Sequence, residues 1–187
     1  MSTKEFNGNL PSNHEVVIGI DQSLTGFAIA AVSVELPTRH ITWVYKSPYK
    51  GTQRLVDIQR FIQETFTWLK KNKNDIKEIA MEGTVLASHS ALVLGELAAT
   101  VKLFLWALKI RPLQIPPMTL KKYTTGKGNA KKQEMLLHIY KHWGIEFDND
   151  NAADAYSLGR LARDVYIGTE GELFEKIKDG AYRDLVE

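Results

Sequence analysis

The ordered pattern of the chain begins with an unbroken apolar run, Val16-Val17-Ile18-Gly19-Ile20, closed by Asp21. A polar turn, Gln22-Ser23-Leu24-Thr25-Gly26, separates it from a second apolar run, Phe27-Ala28-Ile29-Ala30. Runs of this length bounded by turn residues read as buried strands. A further strand is predicted over 39–46, where Ile41, Trp43 and Tyr45 alternate with Thr42, Val44 and Lys46. With a strand over 25–35 and a turn around Pro37, these segments form an antiparallel meander. The period then changes: Leu55, Ile58, Ile62, Phe66 and Leu69 share one face of a helix over 53–71. A short strand over 77–82 ends in an acid, and 88–109 reads as a long apolar helix. Residues 111–115 form a last strand, stopped by Pro116-Pro117 because proline cannot donate in a central ladder. Helices are predicted over 130–143, 151–166 and 172–178. Three antiparallel strands followed by alternating helix and strand describe an α/β domain with a mixed five-stranded sheet, three strands antiparallel and then two parallel, flanked by helices.

The first fourteen residues are polar and are expected to be a flexible leader, with the domain over 15–167 and an extension over 168–187. At 187 residues the chain fits one domain with a full core. The absence of cysteine rules out disulfides, thiolate metal ligands and a thiol nucleophile. No signal peptide is expected at the polar N-terminus and no apolar run reaches membrane-spanning length, so the expected compartment is the cytoplasm, with no membrane partner. The net charge of +2 conceals an asymmetry. Between Pro117 and His142 the lysines Lys121, Lys122, Lys127, Lys131, Lys132 and Lys141 face the single acid Glu134, a local excess of +5 that leaves −3 on the rest of the chain. A local basic face of this kind usually meets phosphate, although a solvated lysine-rich loop has the same composition.

The candidate chemistry lies in carboxylates. Glu82 closes Ile79-Ala80-Met81 as Asp21 closes its own strand, so two neighbouring strands can present both acids at one sheet edge. A third group lies far downstream in Asp148-Asn149-Asp150-Asn151-Ala152-Ala153-Asp154-Ala155, where Asp154 shares a helix face with Asn151 or Asp150. Each acid also has a structural reading: Asp21 as turn-former, Glu82 as exposed strand end, and Asp148 or Asp150 as helix N-cap. Asp154 is hardest to explain that way, because it lies between alanines on a face that should be buried. Converging carboxylates repel one another unless a cation lies between them, and all-oxygen ligation favours Mg²⁺ or Mn²⁺. Two such ions roughly 3.5–4 Å apart clamp the attacking and leaving oxygens of a phosphoryl displacement, so the expected reaction is phosphodiester hydrolysis.

Four blocks, in order, carry a resemblance: Ile18-Gly19-Ile20-Asp21 with Leu24-Thr25-Gly26, then Met81-Glu82-Gly83, then Gly126-Lys127-Gly128-Asn129-Ala130-Lys131-Lys132, then Ala152-Ala153-Asp154-Ala155. Over 16–163 the chain resembles the RuvC-like Holliday junction resolvases of the ribonuclease H-like superfamily. The resemblance implies a ribonuclease H-like fold and a homodimer that binds four-way DNA junctions and nicks two opposing strands with two divalent ions, Mg²⁺ or its substitute Mn²⁺. By position, Asp21, Glu82 and Asp154 match three of the family's four acidic ligands. Lys121 and Lys132 match basic residues that contact the DNA backbone, and Lys127 and Lys131 are expected to lie along DNA phosphates. The fourth ligand position falls on Asn151, which brings no charge; Asp150 is the preferred substitute, with Asp148 and Asn151 left open. The loop after Glu82 lacks the family's aromatic wedge and offers only His89. The compact chain suits a bacteriophage genome-processing enzyme acting in a bacterial host cell.

Two other function classes start from the same residues. A strand, an Asp and a Gly/Thr turn also open actin-like and sugar-kinase ATPases, but those need a second phosphate loop and about twice the length, so no nucleotide cofactor is expected. The Gly126-Lys127-Gly128 loop also lacks P-loop spacing. A DNA-binding module that keeps the shape without cutting is the second alternative, admitted by Asn151. Forks, flaps and RNA–DNA hybrids stay open as substrates. The helix over 90–109 is apolar on more than one stripe, which fits either core packing or a subunit contact, and Trp43, Trp68, Trp106 and Trp143 are expected in the core.

Overall fold

Alternation along the central strands decides how the helices sit. The computed structural model describes residues 3–83, 91–179 and 182–183, so the loop that holds His89 lies outside the described residues. In β2 (Glu15–Asp21), Val16, Ile18 and Ile20 enter one core cluster while Val17 enters the other. The neighbouring β5 (Asp75–Glu82) repeats the pattern, with Ile79 and Met81 on the first face and Ala80 on the second. Asp21 and Glu82 therefore share the second face, at the ends of adjacent parallel strands.

The sheet has six strands in the order β1-β4-β3-β2-β5-β6, with β1 (Thr3–Gly8), β3 (Phe27–Ser33), β4 (His40–Lys46) and β6 (Leu113–Ile115) completing it. β2, β3 and β4 form the expected antiparallel meander, and β2, β5 and β6 run parallel. The expectation of five strands is corrected by β1, which lies within the segment expected as a leader and pairs antiparallel with β4 from Thr3 opposite Lys46 to Gly8 opposite Ile41. An edge strand needs a main-chain partner on one side only, so its polar sequence shows no apolar period.

Helices α1 (Gly51–Lys71) and α2 (Ala91–Ala107) cover the first face through Ile58, Ile62 and Leu69 and through Leu97, Val101 and Leu105. On the second face lie α3 (Pro117–Thr125), α4 (Lys132–Trp143), α5 (Asp150–Tyr166) and α6 (Glu172–Lys178). Helix α3 was not expected, yet Pro117 in its first turn and left-handed Gly126 after its end bracket it. Helix α6 buries Ile177 in the second core cluster, and the Gln114 amide donates to the Tyr182 carbonyl at 2.6 Å, tying the extension to β6. Trp43, Trp68 and Trp143 pack against the two clusters, but Trp106 is 62% exposed, which corrects its expected place in the core.

Candidate active site

Small residues let α5 down onto the sheet. A Cβ added at Gly19 would lie 1.9 Å from the Ala155 carbonyl oxygen and 2.4 Å from the Gly159 nitrogen, so only glycine admits this approach. Ala28, Ala30 and Ala80 on the strands share one buried cluster with Ala153, Ala155 and Ala162 on the helix. The N-terminus of α5 is capped by Asn149, whose side-chain oxygen accepts from the Asn151 and Ala152 amides at 3.0 and 3.2 Å. Asn149, and neither Asp148 nor Asp150, fills the N-cap.

Asp154, one turn into α5, thereby comes to the strand tips that carry Asp21 and Glu82. The Asp21 carboxyl is 5% exposed and is held well above the usual carboxylate range by burial, then by the charges of Glu82 and Asp154, with Lys132 opposing. Glu82 is raised by burial, against the hydrogen bond it shares with Asp21 and the nearby charge of Lys121. Burial, then Glu82 and Asp150, push Asp154 up to about 7, again against Lys132 and Lys121. Three acids that raise or share one another's protons form one electrostatic unit. Beside them opens a cavity of about 210 Å³ whose walls include Glu82, Lys121, Lys132, Asp150 and Asp154.

The remaining expected residues divide. The Lys132 ammonium donates to Asp150 Oδ2 at 2.7 Å, and α3 carries Lys121 into the same cavity. Lys127 and Lys131 are exposed on the segment between α3 and α4, outside the cavity wall. Asn151 turns to the β2–β3 turn: a Cβ at Gly26 would lie 2.4 Å from its Nδ2. Asp148 lines a separate hollow with Thr42 and Asn149. Gln22 was passed over in the sequence, where nothing marks it beyond its place after Asp21; its Nε2 donates to the Glu82 carbonyl oxygen at 2.5 Å.

Among the described residues no group of three or more Asp, Glu or His side chains is arranged so as to hold one metal ion. Asp21 and Glu82 are hydrogen-bonded to each other, and Asp150 is bound by Lys132. The donor set nonetheless fits a hard divalent cation by chemistry, since all of its atoms are carboxylate oxygens and their charge is only partly offset by two lysines.

The sheet order, the antiparallel meander beside a parallel pair, and acids at adjacent strand tips define a ribonuclease H-like fold. Within that class the structure is RuvC-like. It is similar to the structure of Thermus thermophilus RuvC, with a TM-score of 0.65 and 22% identity over 82% of this chain and 97% of that one. T. thermophilus RuvC in complex with a Holliday junction substrate gives 0.63 and 20% identity, over 83% and 95%. The yeast mitochondrial Holliday junction resolvase Ydc2 gives 0.55 and 16%, over 90% and 86%. No protein-family model and no curated protein matches the sequence.

Proposed function

We propose that this protein is a metal-dependent endonuclease that resolves Holliday junctions and other branched DNA by phosphodiester hydrolysis. The observation that carries the reading is the gathering of Asp21, Glu82 and Asp154, from β2, β5 and α5, beside a cavity walled by Lys121 and Lys132. In this reading Asp21, Glu82 and Asp154 hold Mg²⁺, with Asp150 as the fourth carboxylate once Lys132 turns to a DNA phosphate. Two bound divalent ions would neutralise charge at the scissile phosphate and lower the pKa of the attacking water. Lys121 and Lys132 orient the phosphate, and Lys127 and Lys131 continue the positive track along the backbone. The fold neighbours support branched DNA as the partner: one of the RuvC structures is a complex with a Holliday junction substrate, and Ydc2 is a Holliday junction resolvase.

Two copies of the chain are proposed to meet through the outer face of α2. Leu92, Leu103 and Trp106 are 78, 69 and 62% exposed there. With Glu96 and Ala99 they recur at alternating steps of four and three residues, the spacing of a helix–helix seam.

Incubation with a synthetic four-way junction and Mg²⁺ tests the activity. Paired nicks in opposing strands are expected, and Asp21→Asn should abolish them while junction affinity stays largely intact. Asn151 in place of an acid, together with the Lys132–Asp150 ion pair, favours a second reading as a junction-binding protein that does not cut. Tight binding without nicks by the wild-type protein would select that reading.

A further inference from the structure

Main-chain pairing stops just short of the two strand tips that carry Asp21 and Glu82. The last paired residues between β2 and β5 are Ile20 and Met81. On the other side of β5 the Gly83 amide donates to the Ile115 carbonyl of β6 at 2.8 Å. Because the carbonyl and the amide of one trans peptide group point in opposite directions, the Glu82 carbonyl then points back toward β2, beyond the end of the ladder. No main-chain donor of β2 meets it there. The Gln22 amide does, with Nε2 at 2.5 Å from the Glu82 oxygen.

Gln22 is 5% exposed, and its other end, Oε1, is buried without a hydrogen-bond partner among the described residues. An orphan buried acceptor costs free energy, so a residue serving stability alone gains little from a glutamine at this position. We propose that Gln22 is a positioning residue: its side chain extends the β2–β5 ladder by one rung and holds Asp21 and Glu82 at a fixed separation. This inference rests on the endonuclease reading of the site and deepens it, since that separation sets how well the two acids grip a shared cation. Gln22 acts through the backbone of Glu82.

The test is Gln22→Met, which keeps the length of the side chain and removes its polar end. Single-turnover nicking of a four-way junction at saturating protein should slow about 10- to 100-fold, and the affinity of the free protein for Mn²⁺, measured by calorimetry, should fall about tenfold or more, as for other groups that support metal ligands. Junction affinity and thermal midpoint should stay close to wild type. Wild-type nicking and Mn²⁺ affinity in the variant would overturn the proposal, as would a joint loss of junction binding and thermal stability, which marks a merely structural residue. If the wild-type protein itself does not nick, the endonuclease reading fails, and the Mn²⁺ affinities still decide the role of Gln22. Should the variant not fold, exchange of the Gln22 side-chain amide protons in the wild-type protein decides instead: slow exchange supports a held rung, and rapid exchange with solvent overturns it.

Discussion

Helices α5 and α2 are each 17 residues long and lie on opposite faces of one sheet, yet they use their apolar residues differently. The more apolar of the two in sequence, α2, buries only Leu97, Ala98, Val101 and Leu105, and turns Leu92, Leu103 and Trp106 to solvent. Helix α5 carries three aspartates and two arginines within its span and still buries nine residues, several of them alanine or glycine. The difference shows that close approach, and not apolar content, sets burial. Gly19 and Gly159 remove the atoms that would hold α5 away, so its backbone meets the strands and Asp154 reaches Asp21 and Glu82. Large side chains keep α2 at ordinary packing distance through one stripe and leave a second stripe for another surface.

The comparison breaks most sharply at Gly19. Gly19→Ala places a methyl group against the Ala155 carbonyl and the Gly159 amide, both of them backbone, so the helix must move. The expected cost is about 3 kcal/mol, at the upper end for overpacking. It should appear in denaturant unfolding, accompanied by loss of nicking as Asp154 is displaced. Unchanged stability would mean that α5 does not lie as close as described.

A smaller effect is expected on the other face. Leu103→Lys should leave monomer stability within about 0.5 kcal/mol, because the side chain is exposed. Association should weaken by about tenfold or more, equivalent to roughly 1.4 kcal/mol, readable by sedimentation or light scattering across concentration. Wild-type protein that is monomeric at micromolar concentration would remove α2 as a subunit contact.

The last effect is a drift with pH, spread over several pH units and not tied to one substitution. Asp154 releases its proton near 3.8 in the unfolded chain and at about 7 in the folded one. Between those values the folded state binds more protons, so stability falls as pH rises, and Asp21 and Glu82 act in the same direction. Thermal midpoints should therefore decline from acid toward neutral pH without divalent ions, and Mn²⁺ should flatten the decline. A midpoint that climbs through this window in metal-free buffer would contradict the burial of the three acids beside one another.

Much of this was legible in the residues. The strand-end placement of Asp21 and Glu82 is written in two apolar runs that each stop at an acid, and Asp154 stands out because alanines surround it. Both readings depend on local pattern, which sequence preserves. What escaped depends on partners distant in the chain. β1 has no apolar period because an edge strand is recognised by the backbone of β4. Helix α3 is short, and its leading prolines read first as the end of β6. The exposure of Trp106 follows from which stripe of α2 meets α1, a choice the sequence leaves even when both stripes are apolar. Gln22 carries no local signal, because the carbonyl it meets lies 60 residues away.

The central claim, that acids from β2, β5 and α5 form one cation-binding centre, is tested most directly by titrating the free protein with Mn²⁺ in a calorimeter. Saturable binding is predicted for the wild type, lost or severely weakened in each of Asp21→Asn, Glu82→Gln and Asp154→Asn, and retained in Asp148→Asn, whose carboxylate lines a different hollow. Binding that survives all three substitutions, or that disappears equally with Asp148→Asn, would contradict the account.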